Sequence, residues 1–205
     1  MQVPPGFRTV LHVGCGAPLP HKLHRYFRND GWREIRIDID TRVQPDVVAD
    51  ICDLSAFGNG SADAVWSSHN LEHLHDHQVP LALSEFFRVL RPDGFVLLTM
   101  PDLETVARFI SEGRIEDTAY HSPAGPITPL DIVFGYRPSI AAGNQFMAHH
   151  TGFTQSRLRR LLVEAGFERC MAVRGSRLDL WGIGLMPEAP DEALMAPFTA
   201  EPVSA

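Results

Sequence analysis

The fold is decided by residues 9–16, which read TVLHVGCG. The apolar run from Val10 to Val13 is typical of a strand that is buried on both faces. Gly14 and Gly16 follow, and glycine allows a positive φ and a close approach of the backbone to a ligand. Because a helix is expected after this turn, free backbone N–H groups should lie at the carboxyl edge of a parallel sheet, where open α/β folds bind ligands.

The glycine pair suits two kinds of cofactor. The dinucleotide fingerprint requires a third glycine three residues after the second, and this chain has Leu19 there, between Pro18 and Pro20. S-adenosylmethionine carries no phosphate and does not need that glycine. A nicotinamide-dependent oxidoreductase is therefore the disfavoured alternative, and the rest of the sequence has to decide between the two.

Size and composition set further bounds. The chain has 205 residues and a formal net charge of −7, which suits one domain and argues against a general nucleic-acid binder. It has no apolar run long enough for a membrane span, and residues 1–5 do not read as a signal segment. The three cysteines are scattered without zinc or disulfide spacing, which predicts reduced thiols and a cytoplasmic location.

Short apolar strands alternate with helices along much of the chain. Strands are predicted at 10–13, 34–39, 47–49, 62–66 and 95–100, and helices at 19–29, 78–90 and 103–110. A further helix begins at Thr154, and two strands at 167–173 and 180–185 read as a closing antiparallel pair. This alternation predicts an α/β fold with a doubly wound, mostly parallel sheet and a closing antiparallel strand.

Acidic residues follow two of the predicted strands. Asp38 ends the second strand, where a carboxylate can accept hydrogen bonds from both ribose hydroxyls of a nucleoside, and Asp40 is the reserve candidate. Asp50 follows the third strand and could accept a bond from an adenine amino group, while the backbone at Ile51 meets a ring nitrogen. The alternative for Asp38 and Asp50 is a structural cap of the following turn.

Five segments together carry a family resemblance. They are VGCG at 13–16, DID at 38–40, VAD at 48–50, SHNLEHL at 68–74 and RVLRPDG at 88–94. In order and spacing they resemble the class I S-adenosylmethionine-dependent methyltransferases, and most closely the bacterial small-molecule group called methyltransferase type 11. The resemblance covers about residues 10–186. It implies a Rossmann-like methyltransferase fold and methyl transfer from S-adenosylmethionine to a small molecule or biosynthetic intermediate.

The resemblance also implies a set of cofactor-binding residues. They are Gly14, Cys15 and Gly16 for the methionine part, Asp38 for the ribose with Ile39 beside it, Asp50 and Ile51 for the adenine, and Ser67, Ser68 and His69 for the wall near the sulfonium. His12 is a departure, because many members have an acid two residues before the first glycine. It leaves open how the cofactor amino group is neutralised, and it supports a third hypothesis, a non-catalytic binding module that keeps the fold.

Residues 111–150 interrupt the alternation. Residues 122–129, SPAGPITP, are too rich in proline and glycine for regular structure, but aromatic residues such as Tyr136 and Phe146 give the insertion enough apolar surface to order. We expect a lid over the acceptor site. The predicted organisation is one methyltransferase domain over residues 1–186, with this insertion, and a disordered tail over 187–205.

Histidines provide the candidate catalytic groups. A base is needed only if the acceptor is protonated near neutral pH, and the candidates are His69, His149 and His150. His69, His73 and His77 have the i, i+4, i+8 spacing of one helix face, which raises the possibility of a metal site. The following Gln-Val-Pro sequence indicates an interrupting loop, so no metal is predicted. A small-molecule acceptor is the expected partner, without nucleic acid or membrane. The sequence does not indicate its reacting atom or the oligomeric state.

Overall fold

The computed structural model describes residues 6–199. Its strands are Arg8–Val13 (β1), Trp32–Asp38 (β2), Val47–Val48 (β3), Ala62–Ser68 (β4), Leu90–Pro101 (β5), Tyr120–Ser122 (β6), Gly125–Ile127 (β7), Arg169–Arg174 (β8) and Asp179–Leu185 (β9). Its α-helices are Val79–Val89 (α1), Leu103–Ser111 (α2), Pro129–Phe134 (α3), Arg137–Ala141 (α4), Gln155–Glu164 (α5) and Ala196–Thr199 (α6). Within this described range, no helix has the length and apolar character needed to cross a bilayer.

The main sheet has the strand order β3-β2-β1-β4-β5-β9-β8. The pairs from β3 to β5 are parallel, whereas β9 runs antiparallel to both β5 and β8. The predicted fold class, with its closing antiparallel pair, is therefore confirmed. The chain order reverses on the two sides of β1, and such a switch point opens a crevice at the carboxyl ends of the strands.

The central strand β1 is buried on both faces, as its apolar run predicts. Leu11 and Val13 belong to the core cluster that includes α1 and α5. Val10 faces the other side, where it clusters with Phe27 and Trp66. The alternation follows from the two-residue period of a strand.

The second face is covered differently from the prediction. The helix predicted over 19–29 is wrong, since the structure has two 3-10 turns there, Pro20–Lys22 and Arg25–Phe27. Pro18 and Pro20 disfavour a regular helix, because proline restricts the residue before it and donates no backbone hydrogen bond. Aromatic packing covers the sheet instead, and the rings of Phe27 and Trp32 lie 4.9 Å apart.

The carboxyl-terminal segment completes this cover. Instead of the predicted disorder, residues 187–199 contain a 3-10 turn at Asp191–Leu194 and helix α6. The ring of Phe198 lies 6.1 Å from that of Trp181, and its carbonyl accepts a hydrogen bond from Arg25 Nη2 at 3.1 Å. The segment is ordered because it covers apolar surface of the sheet that is not protected by a long helix. The last part of the predicted tail, 200–205, lies outside the described residues.

The insertion at 111–150 has more regular structure than predicted. Strands β6 and β7 form a hairpin within the Pro- and Gly-rich stretch, so the expectation that it lacks regular structure is wrong. Ile127 and Ile132 pack against Val106 of α2, which supplies an apolar anchor. Asp131 accepts hydrogen bonds from Thr128 and, at 2.8 Å, from Arg137 Nε, so one buried carboxylate joins the starts of α3 and α4.

Two glycines allow α5 and the segment after it to lie close to the sheet. A Cβ atom added to Gly184 would lie 2.7 Å from Phe167 Cγ, and one added to Gly182 would lie 2.8 Å from Leu158 Cδ2. Both neighbouring side chains are fully buried. The antiparallel strand β9 therefore depends on small residues for its packing.

The first prediction tests this packing. Gly184→Ala should lower the free energy of unfolding by about 1–3 kcal/mol, because the added methyl group overlaps Phe167 in a filled core. Chemical denaturation of both proteins measures the difference. Gly58→Ala is the control, since an added Cβ has open space there, and its stability should stay within about 0.5 kcal/mol of the wild type. Equal stability of the two variants would contradict the packing described for β9.

The second prediction concerns Asp131. Its pKa is lowered to about 2 because, although burial raises it, hydrogen bonds from Arg137 and Thr128 outweigh that effect. A lowered folded-state pKa means that the stabilisation is present above the unfolded-state pKa, about 4, and is lost as the pH falls towards 2. The wild type should exceed Asp131→Asn in stability by about 1–2 kcal/mol at pH 6, and the difference should vanish near pH 2. Urea unfolding across this range provides the measurement, and a pH-independent difference would contradict it.

Candidate functional site

The turn after β1 requires glycine at both predicted positions. Gly14 has φ +63° and Gly16 has φ +58°, in the left-handed region that other residues avoid. A Cβ atom on Gly14 would overlap the side chain of Asn70, and one on Gly16 would overlap the ammonium group of Lys22. Lys22 therefore brings a positive charge to the turn, which the sequence did not indicate.

Asp38 joins this turn to the end of β2. Its Oδ2 accepts a hydrogen bond from Gly16 N at 2.8 Å, and its Oδ1 accepts one from Asp40 N at 2.9 Å. The reserve candidate, Asp40, is engaged elsewhere, because Arg42 Nε and Nη2 each donate to its carboxylate at 2.8 Å. These contacts favour Asp38 over Asp40 as the carboxylate available to a ligand.

Asp50 and Ile51 follow β3, as predicted. Asp50 Oδ1 accepts a hydrogen bond from Cys52 N at 2.9 Å, so this carboxylate does cap its turn. Its side chain is also exposed to the neighbouring cavity, whereas Ile51 is buried. The structural and ligand-binding interpretations of Asp50 are therefore compatible.

The residue that follows β4 has a left-handed backbone conformation. His69 has φ +48°, which is unusual for a histidine, and its N–H donates to Thr99 O at 2.8 Å. Backbone strain of this kind is concentrated at functional sites. The imidazole is 51% exposed and lines the cavity. Ser67, two residues earlier, is buried, and its Oγ has no hydrogen-bond partner among the described residues.

These strand ends line one cavity of about 1500 Å³. Eight of the ten predicted cofactor residues line it, namely Gly14, Gly16, Asp38, Ile39, Asp50, Ile51, Ser68 and His69. Ser67 and Cys15 do not line it. Cys15 lines a separate cavity of about 420 Å³, because its side chain points away from the crevice. Burial raises the pKa of its thiol to about 11, so the thiol stays protonated at neutral pH.

The insertion lines the opposite side of the same cavity. Residues from β6 to the 3-10 turn Gln145–Met147 contribute, among them Tyr120, Ile132 and Phe146. Pockets that hold one drug-sized ligand have volumes of about 300–1000 Å³. The larger volume of this cavity suits two small molecules side by side. The insertion therefore lies in the position expected for the predicted lid.

The predicted catalytic histidines also line the cavity. His149 lies at its inner wall, where its Nδ1 is 2.8 Å from the carbonyl of Ile132. His150 lies nearer the solvent, and its ring stacks on that of His75 with 4.3 Å between centroids. The structure therefore brings His69, His149 and His150 to one cavity but gives them different surroundings.

A buried carboxylate lies between these histidines. Glu72 is 1% exposed, and its Oε1 is 3.3 Å from Nδ1 of His69. Burial disfavours the charged form of each group, but their mutual attraction outweighs it, so the pKa of His69 is raised and that of Glu72 is lowered. Burial dominates at His149 and lowers its pKa. Glu72 was quoted in the sequence motif without a role, since nothing in the pattern indicates its burial.

His12, the departure from the family pattern, has an acidic partner. Its Nδ1 is 2.6 Å from Oε1 of Glu34 on the neighbouring strand β2, and its ring is buried. Glu34 lines the smaller cavity and is absent from the lining of the large one. The carboxylate is thus present next to this position, but it is directed at His12.

The residues of the crevice fit S-adenosylmethionine in kind. Lys22 lies beside the glycine turn and can pair with a carboxylate, Asp38 offers acceptors for ribose hydroxyls, and Asp50 with Ile51 can meet an adenine. These groups lie along the carboxyl ends of three neighbouring strands. Their order along the sheet matches the order of the parts of one nucleoside with an amino-acid arm.

Comparison with known proteins agrees with this fit. Residues 11–98 match the family model described as a methyltransferase domain. No curated protein matches the chain at a significant level.

Solved structures share the fold at low sequence identity. A methyltransferase from Methanosarcina mazei is 17% identical, with a TM-score of 0.57 and coverage of 90% of this chain and 98% of that one. One from Archaeoglobus fulgidus is 16% identical, with a TM-score of 0.55 and coverage of 88% and 86%. The 1,6-didemethyltoxoflavin-N1-methyltransferase of Burkholderia thailandensis, solved with 1,6-didemethyltoxoflavin and S-adenosylhomocysteine, is 18% identical, with a TM-score of 0.53 and coverage of 88% and 71%.

The domain match favours a methyltransferase over a nicotinamide-dependent oxidoreductase and over a non-catalytic module. The shared architecture agrees with the sheet order and with the glycine turn at its switch point. Residues 11–98 thus match a methyltransferase domain, and the described fold is shared with S-adenosylmethionine-dependent methyltransferases, which supports S-adenosylmethionine as the cofactor.

Proposed function

We propose that this enzyme methylates a small molecule, which binds between the His69 wall and the insertion at 111–150. The observation that carries the proposal is the single cavity of about 1500 Å³, lined on one side by the strand ends and on the other by the insertion. Both substrates would share it, with their reacting atoms near His69. The bound 1,6-didemethyltoxoflavin of the Burkholderia thailandensis structure is a precedent for a small acceptor in this fold.

At the cofactor side, three groups make the proposed contacts. Asp38 keeps acceptor capacity for the ribose hydroxyls, because each carboxylate oxygen accepts one hydrogen bond already and has a second lone pair. Lys22 lies above Gly16 and would pair with the carboxylate of the methionine part. Asp50 and Ile51 would meet the adenine. When bound, the cofactor supplies a sulfonium methyl group that an acceptor atom attacks in line, releasing S-adenosylhomocysteine.

At the acceptor side, the insertion supplies a mixed apolar and polar wall. Tyr120, Ile127 and Ile132 line it, and Phe146 closes its outer part although the ring is 56% exposed. Such a surface suits a flat, partly aromatic molecule with a polar edge. Ordering this lid over the acceptor would exclude water and align the two reacting atoms, which is the main contribution that methyl transfer requires from a protein.

Among the predicted catalytic histidines, we propose His69 as the side chain that contacts the reacting atoms. It follows directly on Ser68, which lines the cofactor side, and its strained backbone directs the imidazole into the shared cavity. His150 lies at the outer rim, stacked on His75. We therefore assign the contact with the acceptor to His69, and His150 contributes to the rim of the lid.

The third prediction tests the ribose contact. Asp38→Ala should weaken S-adenosylhomocysteine binding by about 10- to 100-fold, because the ribose loses charge-assisted hydrogen bonds and the glycine turn loses its anchor. Asp38→Asn retains one acceptor oxygen for Gly16 N and should lie between the wild type and Asp38→Ala. Isothermal titration calorimetry gives the three dissociation constants.

Asp93→Asn is the matched control, since this carboxylate is exposed on β5 and does not line the cavity. Its affinity for S-adenosylhomocysteine should equal that of the wild type. Circular dichroism checks that each variant is folded. An unchanged dissociation constant for folded Asp38→Ala would overturn the ribose assignment.

The fourth prediction concerns the acceptor. With S-adenosylmethionine and a panel of aromatic and heteroaromatic hydroxyl, amine and thiol compounds, the enzyme should release S-adenosylhomocysteine and yield a singly methylated small product. Mass spectrometry identifies the product, and Asp38→Ala should be slower at subsaturating cofactor. Transfer to protein or RNA, with none of the small compounds methylated, would contradict the proposal.

A further inference from the structure

Beside the acceptor wall, Glu72, His73 and His149 form a compact cluster. Each offers one ligand atom, and these atoms all lie within 4.8 Å of one another. Glu72 and His73 lie on the 3-10 turn Leu71–His73, whereas His149 comes from the end of the insertion. The two segments are joined by the backbone, because the N–H groups of His150 and Thr151 donate to the carbonyl of Glu72.

The carboxylate of Glu72 is the unusual member. Its side chain is 2% exposed, and neither oxygen has a hydrogen-bond partner among the described residues. Its Oε1 makes an ion-pair contact with Nδ1 of His69, and the other oxygen has no such contact in the described part of the chain. The ion pair with His69 compensates Oε1 in part, but a buried carboxylate oxygen without a hydrogen bond is costly, since its lost hydration is not replaced. A bound cation would replace it.

The two imidazoles are oriented as metal ligands commonly are. Nδ1 of His73 is 3.1 Å from the carbonyl of Ala148, and Nδ1 of His149 is 2.8 Å from that of Ile132. A carbonyl only accepts hydrogen bonds, so Nδ1 carries the proton in both rings. The neutral ring then keeps its lone pair on Nε2. Metal-binding histidines typically have this backbone hydrogen bond on the nitrogen that does not bind the metal.

We propose that Glu72, His73 and His149 bind one divalent first-row transition metal ion at the inner wall of the cavity. Two imidazoles and one carboxylate suit Zn²⁺ or Fe²⁺, and three protein ligands leave at least one coordination position free. All three residues line the cavity, so the free position is open to it. On the basis of the proposed function, we infer that the free coordination position holds an oxygen or nitrogen atom of the acceptor.

This site differs from the histidine triad considered in the sequence. His77 is not part of the cluster, because Leu71–His73 and Asp76–Gln78 are separate 3-10 turns and no continuous helix aligns the three rings. The ring of His77 stacks on that of His75 at 5.9 Å. The sequence predicts no metal, whereas the proposed site combines His73 with Glu72 and His149, two ligands that helical spacing does not indicate.

The fifth prediction tests metal binding without an activity assay. The full-length protein is treated with a chelator, dialysed and titrated with Zn²⁺ against a chromophoric chelator, and Co²⁺ is used as a visible-absorption probe. The wild type should bind one Zn²⁺ per chain and give a Co²⁺ spectrum typical of nitrogen and oxygen ligands. Glu72→Gln and His149→Asn should each weaken Zn²⁺ binding by about 100-fold or more and change that spectrum.

His77→Ala is the matched control, a histidine of the same stretch outside the cluster, and its Zn²⁺ affinity should equal that of the wild type. Should Glu72→Gln fail to fold, His149→Asn alone decides the question. Substoichiometric binding by the wild type, or wild-type affinity in folded His149→Asn, would overturn the metal site. Because S-adenosylhomocysteine affinity is measured separately, a failed metal site with intact cofactor binding leaves the proposed methyl transfer standing.

Discussion

The hydrogen bond from Gly16 N to the carboxylate of Asp38 is the contact on which the cofactor crevice depends. A turn with two glycines in the left-handed region has little conformational preference of its own, so it needs an external anchor. The end of β2 provides that anchor at 2.8 Å, and the backbone bond from Cys15 N to Ile37 O at 3.1 Å adds a second. The crevice is therefore organised before a nucleoside arrives, which reduces the ordering cost of binding.

The elements of the sheet could be predicted because burial imposes a simple period on them. The continuous apolar run of β1 and the alternation in β2 both follow from packing on the sheet faces. The segment 19–29 could not be predicted in the same way, because its prolines act locally while its aromatic residues act through contacts with Phe95, distant in sequence. The hairpin at 120–127 was missed because proline and glycine are compatible with short edge strands.

Site residues could be predicted from the sequence where they lie directly after a strand, because the strand end itself indicates their position. Gly16, Asp38 and Asp50 follow this rule and line one cavity. Glu72 and His149 do not, because they are 77 positions apart and meet only through the fold of the insertion. Lys22 was missed for a similar reason, since only the turn at Pro20–Lys22 brings its ammonium group over Gly16.

Two of the three tryptophans, Trp66 and Trp181, stack with their ring centroids 5.9 Å apart and line the large cavity. Trp66 is held by a hydrogen bond from its Nε1 to Lys22 O at 2.9 Å, on the loop that carries the ammonium group over the glycine turn. The aromatic pair thus shares a wall with the methionine end of the crevice. Because the two indoles line the cavity, their fluorescence should change when a ligand enters, so binding could be followed in the unlabelled enzyme.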